Sequence, residues 1–436
     1  MPIIPLSYFL RSGLMREEIY TGIDIGSSAV RVAVGKLVPS EEGRDLMHII
    51  GAIEVASSGI AKGTISNLEE AVSSVSRAIE QAERITGVPI NDAWVGINGS
   101  HIIAQESRGV IGVGRSDGEI REEDVDRALE AARTVATPTN YEIIHVLPKS
   151  FIVDGQRGIK DPIGMNGIRL EVDALIIQGL SSQIKNLSKC VYRTGIDIND
   201  LVFSILATGE AVATPRQREL GVAVLNIGAS TTSLVVYEEG DVLHTAVLPV
   251  GGDHITSDIA IGLRTSLETA ESIKLQTATC RPDDVAREEE INLADFGSSE
   301  PEIVGRRFIA DITEARLSEM FDLVDKELRK VDRSGMLPSG VLLTGGGSKL
   351  TGALDCAKTS LRLPCAIAAP QLVTSVIDRI SDPAFSTAVG LALWGNQSGT
   401  GAGGGKAGGG GVLRGIGGLW GKLTDGLKRI FRGMKP

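Results

Sequence analysis

The chain has 436 residues, a formal net charge of −11 and only three Trp. That length is enough for two to four domains with full cores, and the acidic balance argues against a general nucleic-acid binder. Cys190, Cys280, Cys356 and Cys365 show no C-x-x-C spacing and read as buried free thiols of a reducing compartment.

Residues 1–18 (MPIIPLSYFLRSGLMREE) lack a basic segment before their apolar part. They read as an N-terminal extension rather than a secretory signal, with Met15 as an alternative start. No apolar run is long enough to cross a bilayer. Ile19 to Leu37 (IYTGIDIGSSAVRVAVGKL) reads as strand, tight turn, strand. Asp24 ends the first strand, where a carboxylate either holds Mg²⁺ through water or caps the turn. Asn67 to Thr86 has helical spacing, with Asn67 as N-cap and Gly87 and Pro89 as the stop. Ala93 to Ile97 is a short strand.

From His101 to Val172 the pattern predicts a small α+β insert. It has a strand over Ile102–Val113 and a helix over Arg121–Val135. Separate strands follow over Ile143–Leu147 and Ser150–Asp154, then a loop over Gly158–Gly167. His145 lies in an apolar strand and reads as a packed core histidine. Asp173 to Leu180 is another strand and Ser182 to Thr194 a helix. Ile205 to Val212 reads as a helix beneath the next turn. Its Glu210 is either an acid or base there or a solvated glutamate.

Leu220 to Gly252 (LGVAVLNIGASTTSLVVYEEGDVLHTAVLPVGG) is a β-meander whose first turn runs from Asn226 to Thr232. Small and hydroxyl residues in such a turn either present N–H groups to phosphate or make an ordinary hairpin. The stretch repeats the first one. Aligning Asp24 with Asn226 puts Gly26 on Gly228 and Ser28 on Ser230. Two such units half a chain apart predict a duplicated α/β fold, with a cleft where both turns grip one polyphosphate.

Helices follow over His254–Leu263 and Leu267–Gln276, where Glu271 and Lys274 form an i,i+3 ion pair. Arg281 to Glu302 reads as an acidic, exposed loop with a short strand. Phe308 to Val331 is a long amphipathic helix carrying Arg316. A strand then runs into Gly345-Gly346-Gly347, a tight turn or a close approach to a flat ligand. Leu350 to Leu361 is the helix behind it. In the helix Phe385–Gly395, Ala388 and Gly390 allow close packing on the sheet. Nine glycines in thirteen residues from Gly399 to Gly411 make a flexible linker, with a reach on the order of 20 Å.

Residues 412–436 (VLRGIGGLWGKLTDGLKRIFRGMKP) read as a basic amphipathic helix. Ile416, Leu419, Trp420, Leu423, Leu427, Ile430 and Phe431 share an apolar face, while Lys428, Arg429 and Arg432 lie mostly elsewhere. The alternatives are a helix seated on an anionic bilayer surface and one docked on the protein's own body. The acidic body and the glycine linker favour the bilayer.

The order of D-I-G turn, insert, I-G-x-x-T-T turn, helical unit and T-G-G-G resembles the actin/Hsp70/hexokinase ATPases. Phrases such as Arg218-Glu219-Leu220-Gly221, Thr256-Ser257-Asp258-Ile259-Ala260 and Ser386-Thr387-Ala388-Val389-Gly390-Leu391 are similar to the FtsA family of bacterial cell-division proteins. The resemblance implies an actin-like fold with first half 19–98 and 173–204, insert 99–172, second half 205–254 and 338–396, helical subdomain 255–337, linker 397–411 and membrane helix 412–436. It implies ATP and Mg²⁺ in the cleft. Asp24, Gly26, Ser27 and Ser28 would form the first phosphate loop, and Asn226, Gly228, Ala229, Ser230 and Thr231 the second, with Gly252 beside it. Gly345, Gly346 and Gly347 would line adenosine, with Glu271 and Lys274 near the ribose and base. Asp24 and Asn226 would hold the metal through water.

The resemblance further implies filaments formed through the insert, binding of the FtsZ C-terminal peptide by the helical subdomain, and other division proteins as partners. It implies anchorage to anionic inner-membrane lipid on the cytoplasmic face. Arg316 is the expected peptide contact, its alternative being a solvated helix arginine. Related second loops usually read D-I-G-G-G-T-T-D; here Asn226, Ala229, Ser230 and Ser233 depart from that pattern, which implies slow or absent ATP hydrolysis. The competing readings are a pilus-assembly protein of the PilM type, against which the basic tail stands, and a sugar kinase.

Overall fold

The computed structural model describes residues 18–39, 45–114, 117–134 and 137–399. The glycine-rich stretch beyond residue 399 and the amphipathic segment 412–436 lie outside the described residues. Strands β1 (Ile19–Ile25), β2 (Ala29–Pro39) and β3 (Asp45–Ala56) form an antiparallel meander. A hairpin, β4 (Ile60–Ala61) and β5 (Thr64–Ile65), leads to helix α1 (Leu68–Thr86). Asn67 accepts from the N–H groups of Glu69 and Glu70, and Gly87 closes α1 with φ of 69°, the start and stop expected from the sequence. Strand β6 (Asp92–Ile97) then pairs parallel to β1.

Here the chain leaves the sheet for β7 (Ile103–Gly112), α2 (Glu122–Arg133), β8 (Tyr141–Val153), β9 (Gln156–Ile159) and β10 (Arg169–Leu180). These strands make a separate sheet in the order β7-β10-β8-β9, with α2 packed over Phe151, Leu170 and Val172. The two strands expected over Ile143–Leu147 and Ser150–Asp154 are one, β8. A register shift passes over Lys149, between Pro148 and Ser150, and a bulge is where a proline fits a paired strand.

Helix α3 (Ser181–Tyr192) returns to the body, and β11 (Asp197–Phe203) pairs parallel to β6. Helices α4 (Ser204–Val212) and α5 (Pro215–Leu220) precede the second meander, β12 (Val222–Ile227), β13 (Thr232–Glu238) and β14 (Asp241–Leu248). A helical unit follows: α6 (Gly252–Leu263), α7 (Leu267–Thr277), the short pair β15 (Glu290–Asn292) and β16 (Ile303–Gly305), and α8 (Arg306–Lys330). Ile255, Ile259, Ile273, Leu293 and Ile309 are its core. The chain ends its described part with β17 (Val341–Thr344), α9 (Ala353–Leu361), β18 (Cys365–Ile367), β19 (Val373–Ser375) and α10 (Ser386–Gly399).

Two sheets repeat one plan. Five strands run β3-β2-β1-β6-β11 in the first half and β14-β13-β12-β17-β18 in the second. Each is an antiparallel meander extended by two parallel strands beyond its first strand. The duplication read from two turns therefore extends through both sheets. Strand β19 crosses back and adds parallel to β3. The largest core spans both halves, with Phe203, Leu206, Leu391 and Trp394 beside Val224 and Val235. Small residues allow that approach. A Cβ on Gly22 would stand 2.2 Å from the Ala388 carbonyl oxygen of α10, and one on Gly390 would stand 1.9 Å from that of Ala207 in α4. Among the described residues no helix is long and apolar enough to cross a membrane.

Candidate functional site

The two turns share one build. The Gly26 N–H donates to the Ala29 carbonyl at 3.1 Å, and the Gly228 N–H to that of Thr231 at 2.9 Å. Each bond pinches its turn. The next two N–H groups, of Ser27 and Ser28 and of Ala229 and Ser230, have no backbone acceptor among the described residues. In the second turn their direction is also set. The N–H groups of Gly252 and Asp253, opening α6, donate to the carbonyls of Gly228 and Ala229 at 3.0 and 2.7 Å. A trans peptide points its C=O and N–H opposite ways, so the Ala229 and Ser230 N–H groups face away from α6. Paired outward N–H groups at a turn form a concavity for an anion.

The first turn is braced by the Ser57 N–H on the Ser28 carbonyl at 3.0 Å and the Gly63 N–H on Ser27 Oγ at 3.1 Å. Asp24 stands opposite Arg31 across β1 and β2. Burial pushes its carboxyl up to about 6, against the pull of Arg31. Arg31 is itself bound to Glu54 at 2.7 Å.

Asn226 occupies the matching position of the second turn, opposite Ser233. Its Nδ2 donates to Thr387 Oγ1 at 3.0 Å. Its Oδ1 faces Gly345, where an added Cβ would lie 2.2 Å away and where φ is 81°, so this position needs glycine. With Nδ2 engaged, Oδ1 is the remaining polar atom of the Asn226 side chain. Gly347 lies against Ile227, so the three-glycine turn covers the second phosphate turn, while Gly346 faces open space.

Lys274 reaches the Gly252 carbonyl at 3.2 Å and Thr256 Oγ1 at 2.8 Å, and pairs with Glu271 at 2.6 Å. The ion pair read from the helix alone thus folds in against the start of α6. The Ser230 hydroxyl donates to Asp253 at 2.7 Å, a contact without a sequence signal.

Glu210 differs from expectation. It is buried, with one carboxylate oxygen on Arg218 at 2.5 Å and the other on the Gln397 amide at 3.2 Å. Arg218 stacks 5.0 Å from the centre of the Tyr237 ring and donates to the Gly209 carbonyl at 2.9 Å. A carboxylate so engaged braces α4 and is neither a solvated glutamate nor a free base. Arg316 is likewise engaged. It forks onto Asp258 of α6 at 2.5 and 3.0 Å and pairs with Glu319 at 2.7 Å. His145 is the core histidine expected. Its Nε2 accepts from the Phe203 N–H at 2.8 Å, and burial pushes its pKa down to about 3.

Sequence reasoning missed Asn98 and Thr387 as partners of the second turn. Neither belongs to a phosphate motif, and each meets the turn from more than 100 residues away in the chain.

Residues 223–390 match the family model described as cell division protein FtsA, and residues 99–178 match that of the SHS2 domain inserted in FtsA. The chain is 38% identical over 375 residues to the cell division protein FtsA of Bacillus subtilis, covering 86% of this chain and 83% of that protein. It is 35% identical over 380 residues to FtsA of Pseudomonas aeruginosa, covering 87% and 90%. For FtsA of Escherichia coli K12 the identity is 32% over 389 residues, covering 88% and 91%.

Among solved structures, the PilM–PilN type IV pilus biogenesis complex matches with a TM-score of 0.62 and 18% identity, over 86% of this chain and 98% of that one. MreB5 of Spiroplasma citri bound to ADP matches with a TM-score of 0.52 and 13% identity, over 88% and 98%. At such identities these two likenesses concern the fold alone, which is actin-like. With relatives at these identities over most of its length and an insert that matches the family's own, the chain belongs to the FtsA family of actin-like bacterial cell-division proteins.

Proposed function

We propose that the chain binds ATP with Mg²⁺ between its two turns and forms filaments that tether FtsZ filaments of the division ring to the cytoplasmic membrane. It also helps recruit later division proteins. The observation that carries the nucleotide reading is the matched pair of pinched turns, the second with its N–H groups aimed away from α6. The MreB structure of the same fold is bound to ADP, which supports a nucleotide in this cleft. The first turn contributes Asp24, Gly26, Ser27 and Ser28, and the second Gly228, Ala229, Ser230 and Thr231. Gly252, Glu271 and Lys274 lie on the helical side and Gly345, Gly346 and Gly347 on the other.

Among the described residues no group of three or more His, Cys, Asp or Glu could hold a metal. The residues present, the Asp24 carboxylate and the Asn226 amide, fit Mg²⁺, which is commonly held by one or two carboxylates and the substrate phosphates rather than by an all-protein cage. Asp24 is the carboxylate that would hold it through water, with Asn226 Oδ1 as a neutral second. A neutral amide at 226, where related loops carry a carboxylate, supports slow turnover.

The insert of residues 99–172 serves as the contact between copies, and residues 255–337 bind the FtsZ C-terminal peptide. Arg316 contacts that peptide by sharing its fork with Asp258. Residues 412–436 lie on anionic lipid at the cytoplasmic face. The test is recruitment. FtsZ should sediment with phosphatidylglycerol-containing vesicles when the chain is present and stay in solution when it is omitted. Equal sedimentation in both arms contradicts the tether.

A further inference from the structure

Asn98 follows β6 directly and stands one residue before the matched span of the inserted domain. Its side chain crosses to the other half of the protein. Nδ2 donates to Thr231 Oγ1 at 3.3 Å, and Oδ1 accepts from Ser233 Oγ at 3.1 Å. Thr231 closes the second turn, and Ser233 is the register partner of Asn226. The same stretch also meets the first turn. Gly63 packs against the Asn98 carbonyl and Gly99, and gives its N–H to Ser27 Oγ. One short segment therefore touches the second turn directly, and the first through Gly63, at the point where the insert begins.

The root of the insert carries a second signal. His101 is buried, and neither of its ring nitrogens has a partner among the described residues; nor has Gln183 Oε1. Both residues line a cavity of about 10 Å³ together with Ile25, Ile97 and Leu187. His101 stands where the chain enters the insert and Gln183 where it returns. His101 makes no direct hydrogen bond to Gln183 across this joint, and the space between them has room for about one water molecule.

We propose that Asn98 is a positioning residue that couples nucleotide in the cleft to the seating of the inserted domain, an inference that rests on the nucleotide reading above. A nucleotide gripped by both turns draws the second turn toward the first and carries Thr231 and Ser233 with it. Asn98 passes that displacement to residues 99–101. An amide suits the task. It donates to one residue of the hairpin and accepts from another two positions along, which fixes rotation as well as distance.

Hydrogen exchange on the full chain, with and without the non-hydrolysable nucleotide AMPPNP and Mg²⁺, tests this. In the natural chain AMPPNP should slow exchange at least threefold in the turns 26–29 and 228–231 and also in peptides covering 99–105 and 178–183. In Asn98→Leu the turns should stay protected at saturating AMPPNP while the root peptides lose their response. Ser233→Ala removes one partner from the opposite side and should blunt the response as well, which keeps the test valid if Asn98→Leu fails to fold. Root peptides that respond in Ser233→Ala and in any folded Asn98→Leu as they do in the natural chain overturn the proposal. So does a natural-chain response confined to the turns. Absence of any protection of the turns in the natural chain overturns the nucleotide reading itself, and this inference with it.

Discussion

Asn226 donates its amide proton to Thr387 Oγ1 at 3.0 Å, tying the head of the second turn to helix α10. Thr387 Oγ1 lies 2.9 Å from Thr208 Oγ1, whose own proton goes to the Ser204 carbonyl at 2.8 Å. Each hydroxyl in this chain accepts from one neighbour and donates to the next. An aspartate at 226 can only accept. It would turn the Thr387 proton back on itself and leave the contact with Thr208 without one.

Asn226→Asp should therefore have two opposed effects. It should lower stability by about 1–3 kcal/mol, the usual cost of leaving a buried polar group unsatisfied, read by urea denaturation without nucleotide. It should also raise ATP turnover, which in the natural chain should lie below about 1 s⁻¹, the low end of ordinary enzymes. A variant unchanged in both contradicts the account of this position.

Asp24 sets a pH dependence. Its carboxyl is raised to about 6 by burial, so in the folded, ligand-free protein the proton is held more tightly than in the unfolded chain. Its contribution to stability is fully present below the ordinary carboxylate range near 4 and is lost as pH rises through 6. Binding of Mg²⁺ with nucleotide needs the ionised form and runs the other way. Affinity for ATP in the presence of Mg²⁺ should fall as pH drops below 6, and Asp24→Asn should flatten that fall. A profile unchanged by Asp24→Asn would remove Asp24 from the metal site.

Much of the fold was legible because its signals are local. The D-I-G and N-I-G turns, the Asn67 cap and the Gly87 stop of α1 are each set by residues within a few positions. The small face of α10 was legible in part: Ala388 lies against Gly22 of the sheet as expected, whereas Gly390 packs on Ala207 of helix α4 rather than on the sheet. What escaped depends on distant partners. Strands β18 and β19 are three residues each and exist through pairing with β17 and β3. The break expected near Pro148 vanished because a bulge accommodates it. Glu210 looks like any helical glutamate until Arg218 and Tyr237 close over it.

The Glu210–Arg218 pair separates a structural from a catalytic carboxylate. Both side chains are largely buried, and removing one partner of such a pair typically costs about 3–5 kcal/mol. Glu210→Gln should lower the thermal midpoint clearly while leaving turnover per bound nucleotide within about twofold. A stable Glu210→Gln protein that has lost hydrolysis would instead assign the carboxylate to the chemistry.

The sequence of residues 412–436 combines Leu419, Trp420, Leu423, Leu427, Ile430 and Phe431 with Lys428, Arg429 and Arg432. Each basic residue near an anionic surface adds about 1 kcal/mol, and the attraction is screened by salt. Deleting residues 412–436 should abolish sedimentation with phosphatidylglycerol-containing vesicles and leave ATP binding intact. Binding of the full chain should weaken as salt rises. A truncated chain that still pellets with vesicles would put the anchor elsewhere.

The most direct measurement is calorimetric titration of the full chain with ATP and Mg²⁺, beside the variant Gly228→Val. A Cβ at Gly228 would stand 3.0 Å from the Thr231 carbonyl that pinches the second turn, and the branched side chain would crowd the outward N–H groups. One nucleotide should bind per natural chain, with at least a tenfold loss of affinity in the variant. No binding to the natural chain, or equal binding to both, would contradict a nucleotide held between the two turns.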